Sequence, residues 1–221
     1  MSATPPLTDT LARRAVERTV AERQAELAGS MQRVVEATYE LVERTGTVDP
    51  PMRQILARTG LSTQAFYRLF RSKDELMLVL LDDGRRRLVA HLERRMARAG
   101  APEARVRAWV EGVMAQAADP RAASRTRPFV AGEDRIAEAF PQEHAASVDQ
   151  LVDLLVTPLA ELAGRRRGTS AAPDQVRGDA EAVYRLTFAA LRDHLLSRQR
   201  PAPATVEHLV GFCLRGVGAT P

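Results

Sequence analysis

Between residues 49 and 75 the sequence spells two short helical segments joined by one glycine turn, and few folds accommodate that arrangement. Asp49-Pro50-Pro51 opens the first segment. An aspartate can cap a helix, and proline is tolerated in a first turn because its missing N–H has no partner there anyway. Met52, Ile55 and Leu56 give this helix an apolar side, and Thr59-Gly60 ends it. Leu61 is the apolar plug after the turn, and Ser62 is placed to cap the next helix. There, helical spacing turns Ala65, Phe66, Leu69 and Phe70 inward and leaves Thr63, Gln64, Tyr67 and Arg68 outward. Arg71-Ser72 closes it. Ser72 caps a longer helix with Asp74 and Glu75 in its first turn, where the helix dipole favours acids. Two short helices, a tight turn and a capped second helix are the parts of a helix-turn-helix.

The remainder reads as helix. After a Pro/Thr-rich start, Leu11, Val16, Val20 and Leu27 form a thin apolar stripe among balanced charges. That pattern suits either a loosely docked helix or an arm that orders on DNA. Gly29-Ser30 is expected to break it, with Ser30 capping a helix that carries Met31, Val34, Val35, Thr38, Leu41 and Val42 and ends near Gly46. The helix begun at Ser72 reaches towards Arg98, and Gly100-Ala101-Pro102 stops it. Further helices are expected over 103–118, 144–163 (kinked at Pro158), 174–198 and 205–215. Asp119-Pro120 and Arg127-Pro128 punctuate a less regular stretch, and 164–173 reads as a basic loop, the segment most prone to disorder. No alternating run demands a strand. The expected fold is all-α. Residues 1–29 form an N-terminal extension, 30–76 a three-helix domain containing the helix-turn-helix, and 77–221 a larger helical domain.

Composition agrees. Hydrophobic residues make up 45 % of the 221, and aromatics only 5 %, a mixture rich in helix formers. No apolar run is long enough to span a bilayer. Met1 to Thr10 lacks the basic start and apolar core of a secretion signal, and the one cysteine, Cys213, has no intrachain partner. A cytoplasmic location is the expectation. His91, His144 and His194 show no metal-ligand spacing, and no phosphate loop or nucleophile elbow is present, so neither a metal, a cofactor nor an enzyme activity is expected.

The formal net charge of +4 permits a polyanionic partner without requiring one. Its distribution says more. Arg53, Arg58, Arg68, Arg71 and Lys73 fall within one segment that holds no acid. Basic side chains beside exposed hydrogen-bonding ones are what phosphate tracking and base reading need. Lys73 is also the only lysine among 32 basic residues.

The run Thr59-Gly60-Leu61-Ser62-Thr63-Gln64-Ala65-Phe66-Tyr67-Arg68-Leu69-Phe70-Arg71-Ser72-Lys73-Asp74-Glu75-Leu76 resembles the recognition-helix signature of the tetracycline-repressor (TetR) family, and residues 31–78 look like that family's DNA-binding domain. The resemblance implies that Ser62 caps the recognition helix and that its first N–H groups can point at phosphate. It implies that Thr63, Gln64 and Ala65 touch bases, with glutamine able to pair with adenine and alanine to meet a thymine methyl. Tyr67 and Lys73 match phosphate-contacting positions, and Arg68 lies on the same face. Gln64 stands where the family often has glycine, so base preference does not carry over. Pro50-Pro51 replaces the usual Thr-rich helix start, and Arg53 is the substitute phosphate contact.

The family pairs through its last two helices. The matching stripes here are Val183, Leu186, Ala190, Leu191 and Leu195, then Val206, Leu209, Val210, Cys213 and Leu214. These faces suit either a homodimer contact or intrachain core, and the resemblance favours the homodimer. The middle helices resemble an effector domain for a small, largely apolar molecule. Trp109, Met114, Phe129, Phe140, Tyr184 and Phe188 are the available lining residues, though each also suits a core. The implied function is a dimeric repressor that binds a palindromic double-stranded DNA operator and is released by its effector. An activator of the same fold and a nonspecific architectural DNA binder are the alternatives.

Overall fold

The computed structural model describes residues 7–47, 49–167 and 172–218. Helices α1 (Leu7–Thr45), α2 (Met52–Thr59), α3 (Thr63–Leu69), α4 (Lys73–Ala97), α5 (Pro102–Ala118), α6 (Pro120–Ala139), α7 (Pro141–Arg167), α8 (Pro173–Ser197) and α9 (Pro203–Gly216) follow one another, with no strand among the described residues. Proline occupies the first turn of α5, α6, α8 and α9, where its fixed φ suits the helix and no hydrogen bond is lost.

Two hydrophobic clusters organise the chain. The head cluster joins Val34, Val35 and Leu41 of α1, Ile55 of α2, Phe66 of α3 and Phe70 to Leu76, Met77 and Leu80 of α4. The body cluster gathers Leu92 and Met96 of α4 with the buried faces of α5 to α9, centred on Trp109, Val113, Leu151, Leu155 and Leu191. Helix α4 therefore contributes its first half to one core and its second half to the other. Helix α6 is a second bridge: Ala123 and Val130 belong to the body, while Ile136 is buried in the head. Close approach of α4 and α5 depends on Gly112, where a Cβ would fall 2.5 Å from a Leu92 methyl.

Four local expectations are overturned. The break at Gly29-Ser30 is absent: α1 runs unbroken through it, and Ser30 receives a hydrogen bond from Arg33 instead of capping a helix. Residues 11–28 project with every side chain exposed, so this helix is continuous with the head rather than docked. Asp49 caps nothing. Pro51 occupies the N-cap of α2, and the Asp49 amide is held by the Thr47 hydroxyl. The stretch around Arg127-Pro128 is regular, because α6 continues through Pro128. Likewise α7 extends from Pro141, through Pro158, to Arg167, claiming the first part of the expected basic loop. Residues 168–171 of that loop, and the Pro/Thr-rich residues 1–6, lie outside the described residues.

Candidate nucleic-acid interface

The surface that can meet DNA is built by the turn and caps around α3. Gly60 ends α2 at φ +70°, a left-handed conformation that costs glycine little, and its N–H closes on the Leu56 carbonyl at 2.9 Å. The chain then reverses, and the Ser62 hydroxyl accepts the Ala65 N–H at 3.1 Å. Seven residues are too few for a stable isolated helix. Tertiary anchoring supplies the rest: Phe66 is fully buried, its ring 5.5 Å from Phe70, and the Tyr67 ring meets its edge at 5.4 Å. At the far end the Ser72 hydroxyl accepts the Glu75 N–H at 3.0 Å, while the Glu75 carboxylate accepts the Arg71 N–H. This reciprocal capping fixes where α3 stops and α4 starts.

Anchoring Phe66 leaves Ser62, Thr63, Gln64, Tyr67 and Arg68 exposed on one side of α3, with Ala65 half-buried. Arg53, on α2, and Arg71, after α3, are exposed too. Among the described residues Arg53, Arg68 and Arg71 have no acidic partner, so their charge is free for another molecule. Arg58 is spent on Glu40 of α1. Lys73 is also engaged: its ammonium is paired with the Asp49 carboxylate and donates to the Pro50 carbonyl at 3.3 Å. The hydrogen bond from Lys73, with the charges of Lys73 and Arg135, holds the Asp49 carboxyl below its ordinary value against the opposing effect of burial. The local charge count missed this pairing because Asp49 lies just outside the acid-free segment.

Behind the head lies a cavity of about 450 Å³ bounded by α1, α4, α6 and α8, with Gln116 of α5. Leu80, Leu88, Phe129, Val130, Phe188 and Leu191 give it an apolar wall. Arg85 and Glu133 form its buried polar element. Arg85 is 6 % exposed. Its guanidinium donates to Glu133, donates to the Ser147 hydroxyl at 3.1 Å, and lies 2.9 Å from His144 Nε2. The same ring nitrogen is 3.0 Å from Glu133, so it accepts from the arginine or donates to the carboxylate according to the ring's tautomer. On the cavity wall the Tyr39 hydroxyl donates to the Leu80 carbonyl, and Arg87 stands over the Tyr39 ring at 5.3 Å.

Of the six aromatic or soft residues expected near a ligand, Phe129 and Phe188 line this cavity. Tyr184 stacks on Phe188 at 4.4 Å, and burial pushes its hydroxyl up to about 12. Met114 borders a separate groove beside the 200–203 link. Trp109 is wholly buried, with its indole N–H donating to the Leu151 carbonyl at 3.1 Å, and Phe140 packs against the head core. Both act in packing. Sequence spacing does not reveal Arg85, Glu133 and His144 as a group, because they come from three helices and Arg85 lies 48 residues before Glu133.

The expected dimer stripe divides in the same way. Val183, Leu191, Leu195, Leu209, Val210, Cys213 and Leu214 are buried in the chain's own core, which leaves them little surface to give a partner. Burial also pushes the Cys213 thiol up, which keeps it protonated and inert. Ala190 and Val206 are half-buried, and Leu186 is exposed. With Leu196 of α8 and Phe212 of α9 it makes up the large exposed apolar side chains of the last two helices, at 37, 43 and 53 %.

Residues 34–80 match the model of the bacterial regulatory proteins of the tetR family. Most of the fold is shared with a protein of Pseudomonas aeruginosa PAO1 described as a transcriptional regulator (23 % identity, 85 % of this chain and 88 % of that one, TM-score 0.63). It is shared also with the fatty acid degradation regulator FadR of Bacillus halodurans (16 %, 86 % and 97 %, TM-score 0.62). A third is the transcriptional regulator FadR of Bacillus subtilis in complex with stearoyl-CoA (13 %, 84 % and 96 %, TM-score 0.60). No curated protein matches the chain in sequence. No described helix is long and apolar enough to cross a membrane.

Proposed function

We propose that this chain, whose residues 34–80 carry the head of tetR-family bacterial regulators, is a homodimeric repressor that binds a palindromic DNA operator and lets go when a small molecule fills the cavity behind the head. The observation that carries this reading is the exposed face of α3. Thr63, Gln64 and Tyr67 present hydrogen-bonding groups there, flanked by Arg53, Arg68 and Arg71, which have no acidic partner among the described residues, on a helix locked by Phe66. Such a face fits the major groove, with arginines tracking phosphate and the amide of Gln64 reading a base edge.

One seven-residue helix makes too few contacts for tight specific binding, so two heads must act together, with half-sites about 34–36 Å apart or a multiple of that. Leu186, Leu196 and Phe212 supply the apolar surface for pairing. Replacing Phe212 by glutamate is expected to convert the dimer to a ~24 kDa species in sedimentation at micromolar concentration, because a charge is costly in an apolar contact. A wild-type chain that sediments as that monomer by itself would remove the dimer.

The effector reading rests on where the cavity lies. About 450 Å³ is the size of a small-molecule site. Its wall suits a mostly apolar molecule bearing one hydrogen-bonding group for Arg85 or Glu133. The stearoyl-CoA complex of the Bacillus subtilis regulator is a precedent for a ligand with a long apolar chain in this fold. Helix α4 lines the cavity with Leu81, Gly84 and Leu88 and continues from the head core to the body core, so occupancy bears on the helix that carries the head. Reversing occupancy from 1:99 to 99:1 needs a ligand that discriminates between the two states by about 5.5 kcal/mol.

Selection of duplexes from a random library by the purified protein tests the DNA reading. The expected product is an inverted repeat. Gln64→Ala should then alter the preference at one position per half-site, by ~1–3 kcal/mol. Enrichment of no common motif would mean an architectural binder instead.

A further inference from the structure

Where body helix α6 meets the head, four charges share a few ångströms. Asp49 comes from the link between α1 and α2, Lys73 and Asp74 from the first turn of α4, and Arg135 from α6. Asp49 pairs with Lys73. Arg135 donates to Asp74 at 2.5 Å and stands 3.7 Å from the same Asp49 oxygen that holds the lysine. Two cations and two anions leave the cluster with no net charge. As it stands, Lys73 adds nothing to the positive field of the head at long range, unlike Arg53, Arg68 and Arg71.

We propose that Asp49 is a built-in competitor with DNA phosphate for Lys73, and that Arg135 sets the strength of that competition by drawing on the same carboxylate. This rests on the reading of the head as a DNA-binding surface. The physical reason is that a carboxylate shared between two cations binds each less firmly than one paired with a single cation. When Arg135 holds Asp49, Lys73 is free to leave it for a phosphate. When α6 withdraws, Asp49 returns wholly to Lys73. The position of Arg135 in α6 makes it responsive. Glu133, two residues before it, lies on the cavity wall, and Ile136, directly after it, is buried in the head core. Asp49 and Arg135 are thus affinity-setting residues outside the helix-turn-helix, acting through Lys73 without touching a base.

The experiment measures binding of a labelled 30-base-pair duplex of mixed sequence over a range of salt concentrations. The proteins compared are wild type, Asp49→Asn, Arg135→Gln, Arg135→Lys, Lys73→Gln and the double variant Asp49→Asn/Arg135→Gln. Asp49→Asn is expected to tighten binding at low salt by about two- to fivefold, the scale of a partly exposed ion pair. Arg135→Gln should weaken binding by a similar factor, and Arg135→Lys, which keeps the charge, should restore it. In the Asp49→Asn background Arg135→Gln should weaken binding less than it does in the wild type, because only its partner Asp74 is then left uncompensated. Lys73→Gln should reduce the salt slope by about one phosphate contact. The proposal is overturned if Asp49→Asn binds no tighter than wild type while Lys73→Gln still lowers the slope. It is overturned as well if Arg135→Gln weakens binding equally with and without Asp49, since the arginine would then not act through that carboxylate. An unchanged slope in Lys73→Gln instead rejects the placement of Lys73 on phosphate, and with it the DNA reading of this edge of the head.

Discussion

Phe66→Ala is expected to lower the unfolding free energy by about 3–5 kcal/mol, the usual cost of emptying a buried phenylalanine site, and to abolish DNA binding with it. Phe66 has no exposed surface, and it is the one fully buried side chain of α3. The cavity left by alanine would open between Ile55, Phe70 and the α1 stripe of Val34 and Leu41. Those neighbours sit on two different helices and on the link after α3, so they cannot close the space by a local shift. Helix α3 has no intrinsic stability to fall back on, and the α3 face loses its shape along with its anchor. The body cluster is a separate set of residues. The expected thermal melt therefore gains an early transition of small helical amplitude, while the main transition moves less. Circular dichroism and duplex binding on one preparation check this. A variant that melts as the wild type does and still binds the selected duplex would show that Phe66 does not hold the recognition face. Gln64→Ala is the contrast: the side chain is exposed, so base preference changes while the melt does not.

The head was legible because its signals are local. Gly60, Ser62 and Ser72 do their work within four residues of where they stand, and the inward and outward faces of α3 follow from a 3.6-residue period anchored on Phe66 and Phe70. The misreadings came from treating breakers as decisive. Gly29-Ser30 inside α1 costs on the order of 1 kcal/mol, and Pro128 inside α6 about 3 kcal/mol. Against Pro128 stands the burial of Ala123, Val130 and Ile136 on either side of it, at about 1.5–3 kcal/mol for each larger side chain. Burial wins, and the proline is carried inside the helix. The stripes of α8 and α9 illustrate a different limit. Periodicity reports that a face is apolar, not whose surface covers it. Val183, Leu191 and Leu195 cover their own chain's core, while Leu186 and Leu196, one residue away along α8 from Thr187 and Leu195, face out. Charge pairing was the least legible property. The contacts of Lys73 with Asp49, and of Arg85 with Glu133, Ser147 and His144, join helices that only the fold brings together.

Glu133→Ala tests the polar element of the cavity and has the other large expected effect. Removing the carboxylate leaves the Arg85 guanidinium buried with the Ser147 hydroxyl and the His144 ring as its remaining partners. A buried charge stripped of its counter-ion costs about 3–5 kcal/mol, whereas replacing both members of such a pair by apolar groups is often neutral. The double variant Arg85→Met/Glu133→Ala is therefore expected to recover most of the stability that Glu133→Ala loses. Acid should produce the same loss in the wild type. Burial pushes the Glu133 carboxyl up, but the hydrogen bond with His144 and the charge of Arg85 outweigh it and hold the group below its ordinary value of 4.5. A carboxyl lowered by folding contributes stability that is fully present above its unfolded pKa and disappears as the pH falls through the folded one. The gap between wild type and Glu133→Ala should thus be full at pH 7 and shrink once the pH drops below that value. Denaturant midpoints of the wild type and both variants, compared at pH 7 and in acid, read all of this. If the double variant is as unstable at pH 7 as Glu133→Ala alone, the carboxylate holds α6 by something other than its pairing with Arg85, and the charge-based account of the cavity wall fails.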